Sequence, residues 1–438
     1  MTKFRKILST ALLTAATLPA LGQTNGSNSP YSRYGFGLLN DGGNAFNKGM
    51  SGTAYGMRNG TQLNYKNPAS YSAIDSLSLL FDFGMSLQNA NLSQSGLKTN
   101  AKNTSVDYIT AGFRLAKNLG MAVGLTPFST AGYSTVREEK FNSGLDEYRQ
   151  ALEYKGNGGL HEVYAGIGWS PIKNLSIGMN AGYLWGDLEH SIQMSFDDNH
   201  INTTRQLYSA DVRTYKLDWG LQYELPINKK NSLTLGLTYG LGHDIKSKAH
   251  YYNQKFSNQN VVGADTLVAE NPFQLPHTFG AGLTWTYNKS LRVGVDYTFQ
   301  KWSNVTYPHL SKDPETQEFS YKGTKGLFTD MHKVSFGVEY VPDAEGLKWR
   351  KRVRYRAGFA YTSPYAKIDG KDGPQDFLAS LGVSLPIINM HNNRTFVNLS
   401  AQYEHVKPKF AGMITENYIR LCIGISFNER WFMKWKAQ

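Results

Sequence analysis

Asn417-Tyr418-Ile419-Arg420-Leu421-Cys422-Ile423-Gly424-Ile425-Ser426-Phe427 decides the fold of this 438-residue chain. From Ile419 onward every odd position is apolar, while the even positions carry Arg420, Cys422, Gly424 and Ser426. Successive side chains of a strand point to opposite faces, so this segment has one greasy face and one polar face. The same alternation recurs in about fourteen segments, from Leu77–Leu87 to Ile419–Phe427. Beyond the N-terminus the chain has no apolar run of the roughly 18 residues that a membrane helix needs, so the greasy faces are assigned to lipid. The sequence predicts an all-β protein, a transmembrane antiparallel β-barrel of about fourteen strands.

Composition fits that reading. Mean hydropathy is low (−0.43), and Tyr, Phe, Trp and Gly are plentiful, as expected where alternate residues meet lipid and aromatic girdles mark the interfaces. No linker, low-complexity tract or charge block divides the chain, so it reads as one large domain.

Lys3, Arg5 and Lys6 precede the apolar stretch Ile7–Leu21, which ends in Ala20-Leu21-Gly22. Residues 1–22 therefore read as a cleaved secretory signal, with no Cys at the cleavage site for lipid attachment. Its removal takes three basic and no acidic residues and lowers the net charge from +12 to +9. That surplus reads as spread along the chain, compatible with anionic headgroups of outer-membrane lipid or lipopolysaccharide; nothing indicates nucleic acid. Cys422 is the single cysteine, which excludes an intrachain disulfide.

Connections alternate between short and long. Lys117-Asn118-Leu119-Gly120, Pro171-Ile172-Lys173-Asn174 and Asn288-Lys289 are tight turns, whereas Val136–Gly158, Leu188–Val212, His243–Leu275 and Trp302–Asp330 read as long loops. Outer-membrane barrels keep short turns in the periplasm, so the expectation is a bacterial outer-membrane location with both chain ends periplasmic and the long loops extracellular. The divisions are then a signal (1–22), an N-terminal segment (23–75), the barrel (76–428) and a short periplasmic tail (429–438).

Inward parity is rich in glycine, with Gly84, Gly112, Gly178, Gly220, Gly236, Gly358 and Gly424 inside strands. Glycine there marks either curvature or the close approach of another backbone, here a plug. The same parity carries charges, among them Asp82, Arg114, Lys216, Asp218, Arg292, Asp296, Glu339, Arg354, Arg356 and Arg420. Charges are tolerated in a wet or hydrogen-bonded lumen, where these form a candidate network.

Residues 23–75 do not alternate and contain Ser29-Pro30-Tyr31-Ser32-Arg33-Tyr34-Gly35-Phe36-Gly37, Gly49-Met50-Ser51-Gly52 and Asn67-Pro68-Ala69. Here the chain resembles the FadL-type outer-membrane transporters of long-chain fatty acids and other hydrophobic compounds, and looks most like Bacteroidota versions of them. In that family an N-terminal hatch with an Asn-Pro-Ala motif folds inside a fourteen-stranded barrel. Asn67-Pro68-Ala69 matches that motif just before the first strand. The resemblance implies binding of hydrophobic molecules in the lumen and their sideways release through a wall opening near a strand kink. Thr126-Pro127-Phe128 offers such a defect, because proline removes a ladder hydrogen bond; an edge bulge explains Pro127 equally well.

No nucleophile–base set, zinc spacing, phosphate loop or calcium loop is present, so no enzyme and no cofactor are expected. The pairs His161-Glu162, Glu189-His190 and Glu404-His405 diverge on strands, and His243, His250 and His277 sit on loops. Two functions stay open: passive passage of a hydrophobic ligand, or a non-catalytic barrel subunit of a larger outer-membrane complex such as barrel-assembly or secretion machinery. The loop Tyr251-Tyr252-Asn253-Gln254-Lys255-Phe256 and the tail Trp431–Lys436 are candidate contacts with other outer-membrane proteins.

Overall fold

The first and last long strands pair over sixteen positions, from Ser78↔Arg430 to Ser93↔Thr415, and this ladder closes the sheet on itself. Closure is what hydrocarbon demands, since an open edge there leaves backbone groups without partners. The computed structural model describes residues 27–143, 146–198, 200–257, 260–344, 346, 348–387 and 395–430. The expected signal (1–22) and most of the expected tail (431–438) lie outside the described residues.

All fourteen expected strands are present. They are β1 (Ser78–Gln94), β2 (Leu97–Ala116), β3 (Leu119–Pro127 and, past Phe128, Ser129–Ser143), β4 (Asp146–Ile172) and β5 (Leu175–Phe196). Next come β6 (Thr203–Pro226), β7 (Asn231–Gly240), β8 (Thr278–Tyr287), β9 (Leu291–Gln300) and β10 (Met331–Tyr340). The last are β11 (Arg354–Thr362), β12 (Gln375–Ile387), β13 (Thr395–Lys407) and β14 (Thr415–Arg430). Each pairs antiparallel with its neighbours. Parity follows the sequence: Leu421 and Ile423 of β14 are exposed outward, while Cys422, Gly424 and Ser426 are buried. Among the described residues no helix is long and apolar enough to cross a membrane.

One expectation about connections needs correction. The stretches 136–158 and 188–212 are not loops: they continue as strand, and β4 alone has 27 residues where a tilted span needs about ten. The pair 248–257 and 260–270 extends the same sheet by pairing with Thr203–Ala210 of β6. Its outer face carries Glu189, Asp211, Lys248 and Glu270 rather than an apolar stripe, so it stands beyond the lipid band, while Leu188, Ala210, Ala249 and Tyr251 pack inward; with no lipid-facing stripe, alternation of apolar residues could not reveal it.

The first described residues enter the barrel from one side. Arg430 closes β14 at the short-turn end, but Ser29 Oγ donates to Glu416 Oε1 at 2.8 Å, at the opposite end of the same strand. The described N-terminal residues therefore lie toward the long-loop end, because buried polar groups of β14 and β3 hold them there.

Inside the cylinder, residues 27–75 form a hatch with little regular structure. It contains 3-10 turns at Pro30–Arg33 and Pro68–Ala73, a strand Leu38–Leu39 and a single helical turn Ala45–Lys48.

Candidate functional site

The lumen is the place where function would reside, and the hatch fills its lower part. Glycines of the wall are its seat. A Cβ added at Gly236 would lie 2.0 Å from Tyr55 O, one at Gly178 would lie 2.4 Å from Pro68 C, and one at Gly358 would lie 2.3 Å from Met50 C. The inward glycines therefore let hatch backbone approach wall backbone.

Wall side chains then satisfy the hatch's polar groups. Asp296 Oδ2 accepts the Ala54 and Tyr55 N–H groups at 2.6 and 2.8 Å. Gln222 Nε2 donates to Tyr55 O at 2.9 Å, and Ser380 Oγ accepts Ser51 N–H at 2.8 Å. Lys48 of the hatch pairs with Asp107 of β2 at 2.8 Å. Asp41 is bridged by Lys66 of the hatch and Lys333 of β10. Burial opposes its ionisation, yet the two ammonium groups outweigh that and hold its carboxyl below the ordinary range.

Asn67 is fully buried and makes three contacts: its Oδ1 accepts Ala69 N–H at 3.2 Å, capping the turn Pro68–Ala73, and its Nδ2 donates to Tyr55 O at 2.9 Å and to Leu221 O of β6 at 3.2 Å. Pro68 opens the turn, where a missing N–H costs nothing. The tripeptide thus ties three strands of chain together: the turn, the Tyr55 segment and the wall.

The inward charges do not form one network but several groups. Glu339 gathers Arg292 (2.8 Å), Arg356 (2.7 Å) and Arg354 (3.6 Å). Lys216 pairs with Asp218 and with Glu162 at 3.3 Å. Arg420 pairs with Glu404 and donates to Gln88. Asp82 accepts from Asn44, Tyr108 and Ser426, and Asp296 serves the hatch. Arg114 joins none of these groups; its Nε donates to Ala116 O at the rim. A pocket lined by Met50, Met57, Arg292 and Glu339 between hatch and wall holds about 10 Å³, room for roughly one water.

Toward the long-loop end the lumen closes on the hatch again. Phe36, fully buried, is surrounded by Phe273, Trp302 and Tyr307 at ring distances of 5.8, 5.9 and 5.5 Å, with Phe328 and Tyr365 packed behind. Tyr307 Oη donates to Gly35 O at 2.7 Å, and Tyr365 Oη donates to Tyr34 O at 3.0 Å. This aromatic cage was not legible beforehand, because its members come from the hatch and three separate connections.

The wall is interrupted beside Pro127. β2 and β3 pair from Ala116↔Leu119 up to Ile109↔Leu125, and among the described residues no pairing of the two strands continues above that. Pro127 faces His161 and Ala131 faces Gly158, so Phe128–Thr130 oppose only Gly159–Leu160, a one-residue bulge. Gly158 and Gly159, at φ +116° and +140°, take the bend that a side chain resists. Hatch residues fill the interruption: Leu38–Leu39 pair with Thr130 and Ser129, Ser27 Oγ donates to Gly132 O, and Asn28 donates across to Asn103 of β2.

The positive surplus is also less evenly spread than composition suggests. Lys348, Arg350, Lys351, Arg352, Arg354 and Arg356 fall within nine residues. Arg354 and Arg356 turn into the lumen, whereas Lys348, Trp349, Arg350 and Lys351 are exposed at the short-turn end. Among the described residues, no group of three His, Cys, Asp or Glu side chains is placed to hold a metal ion.

The sequence matches no curated protein. Among solved structures the fold is similar to the CymD monoaromatic hydrocarbon channel (TM-score 0.58, 15% identity, covering 92% of this chain and 99% of that one). It is also similar to the Ralstonia pickettii toluene transporter TbuX (0.58, 14%, 90% and 99%) and to the P. putida toluene transporter TodX (0.59, 13%, 90% and 100%). At such identities the likeness is one of fold, that of FadL-type outer-membrane barrels. A family model, by contrast, follows the sequence itself over residues 3–438, and on that match the chain belongs to the BamG family.

Proposed function

We propose that this protein is a non-catalytic barrel subunit of a larger outer-membrane complex, in which the hatch is a permanent plug. The observation that carries this reading is the cage around Phe36: the aromatic site a hydrophobic guest would need is already occupied by the chain's own side chain, with 0% exposure. The family name, BamG, reads as that of a component of barrel-assembly machinery and supports the same reading. The exposed Lys348-Trp349-Arg350-Lys351 stretch adds Trp349 and Arg350, residue types that interfaces favour. Gentle detergent extraction followed by native mass measurement tests it. Co-extraction of other outer-membrane proteins in fixed ratio is the expected result; a lone, stable monomer rejects it.

One observation favours a second reading, passage of a hydrophobic molecule. The wall is interrupted beside Pro127, and hatch residues rather than a barrel strand cover the gap. The solved hydrocarbon channels share this fold, and movement of the hatch around Asn67-Pro68-Ala69 would uncover the gap. Uptake of labelled fatty acid into vesicles decides: passage predicts a difference between intact and hatch-deleted protein, and equal uptake removes it.

A further inference from the structure

On the lipid-facing side of the barrel, an aromatic ladder crosses β6 to β10 near their long-loop ends. Trp219 stacks on Tyr239 (5.6 Å), Tyr239 contacts Phe279 (5.2 Å), Phe279 stacks on Phe299 (6.3 Å) and Phe299 meets His332 (5.1 Å). Aromatic girdles occur in barrels generally. At one place in it Tyr239, Phe279, Phe299, His277 and Lys301 line an open groove of about 540 Å³.

The groove is apolar at its floor and cationic at its upper rim. Phe279 is 46% exposed, and its parity directs it outward with Leu283 and Trp285. Lys301 follows directly on the last residue of β9, is exposed, and pairs with no described carboxylate. The tautomer of His277 follows from its neighbours. Gly242 N–H can only donate, and it donates to His277 Nδ1 at 3.2 Å, with Tyr239 Oη at 2.9 Å from the same atom. The proton of the neutral ring therefore sits on Nε2, which is a donor. By contrast, His243 of the same belt uses Nε2 on Thr214.

We propose that this groove binds one phosphorylated lipid of the leaflet at the long-loop end, with its phosphate held by Lys301 Nζ and His277 Nε2–H and its acyl chain laid over Phe279 and Phe299. Charge complementarity and depth select that occupant: the Lys301 ammonium and the His277 N–H stand where strand gives way to loop, at headgroup level, and the rings lie one step deeper in the hydrocarbon. Lipid A of lipopolysaccharide and a glycerophospholipid share this chemistry. The site is independent of both readings of the lumen, since it faces away from it.

The test is lipid retention by the purified full-length mature protein, read as mass adducts in native mass spectrometry. The probes are lipid A, phosphatidylglycerol and an uncharged glycolipid of equal chain length. A charge-assisted phosphate contact corresponds to a drop of about tenfold in affinity on its loss, expected for both phosphorylated probes in Lys301→Glu/His277→Gln. Lys301→Gln alone, which removes the charge without introducing a negative one, moves in the same direction. Lys229→Glu, at the opposite rim, is the charge-matched control and leaves retention unchanged. Tighter retention of lipid A than of phosphatidylglycerol supports the site with lipopolysaccharide as its source, and the reverse order supports it with a glycerophospholipid. Equal loss in the Lys229 variant, or retention of the uncharged lipid as strong as that of the phosphorylated ones, overturns the proposal.

Discussion

Asp296, buried on the inner face of β9, accepts the backbone N–H of Tyr55 at 2.8 Å, and that of Ala54 at 2.6 Å on the same oxygen. One wall carboxylate thus terminates a hatch turn that has no strand or helix partner of its own. Hydrogen bonds to an ionised group contribute about 1.5–3 kcal/mol. Asp296→Asn keeps the shape and removes the charge, so hydrogen exchange of the segment around Ala54 and Tyr55 is expected to rise by about tenfold or more. Unchanged protection there would show that the glycine seat alone holds the hatch.

The seat itself is testable at Gly236. Its nearest neighbour is the carbonyl of Tyr55, and backbone cannot swing aside as a flexible side chain can. Gly236→Ala is therefore expected to lift the hatch while the barrel still closes, at a cost of about 1–3 kcal/mol for overpacking. Gly263→Ala, whose added Cβ meets nothing nearer than 3.9 Å, is the neutral reference. Protease cleavage of the hatch in folded, heat-modifiable barrel is the readout. Equal resistance of the two variants would remove the argument.

The fourteen strands were legible because lipid on one face and a packed lumen on the other impose period two, as at Ile419–Phe427. The hatch was legible as the stretch lacking that period, and glycines on the inward parity marked close backbone approach as one of two options. Three features were not. The tall extension of β4, β5 and β6 meets no lipid on its outer face, so nothing forces apolar residues to alternate there, although Leu188, Ala210 and Tyr251 pack inward in the cluster that holds Phe36. The cage around Phe36 is assembled from residues as distant as Phe273 and Tyr365, which only topology brings together. The grouping of inward charges depends on register: Arg292 and Arg356 both stand opposite Glu339, on its two neighbouring strands, whereas Arg114 falls at the rim.

That grouping has an energetic consequence at Glu339. Its side chain is 3% exposed and is the shared counter-ion of three guanidinium groups, of which Arg356 is itself 1% exposed. Removing one partner of a buried ion pair costs about 3–5 kcal/mol, because the remaining charge is left uncompensated. Glu339→Gln leaves three such charges against a neutral amide and is expected to lower the barrel's urea midpoint by that amount of stability. Adding Arg292→Met to Glu339→Gln removes one of the stranded cations, so the double variant is expected to recover part of the loss, an interaction that a double-mutant cycle measures directly. A change of less than about 0.5 kcal/mol in Glu339→Gln, the size of an ordinary surface substitution, would mean that water or anions already neutralise the arginines and that Glu339 is not their anchor.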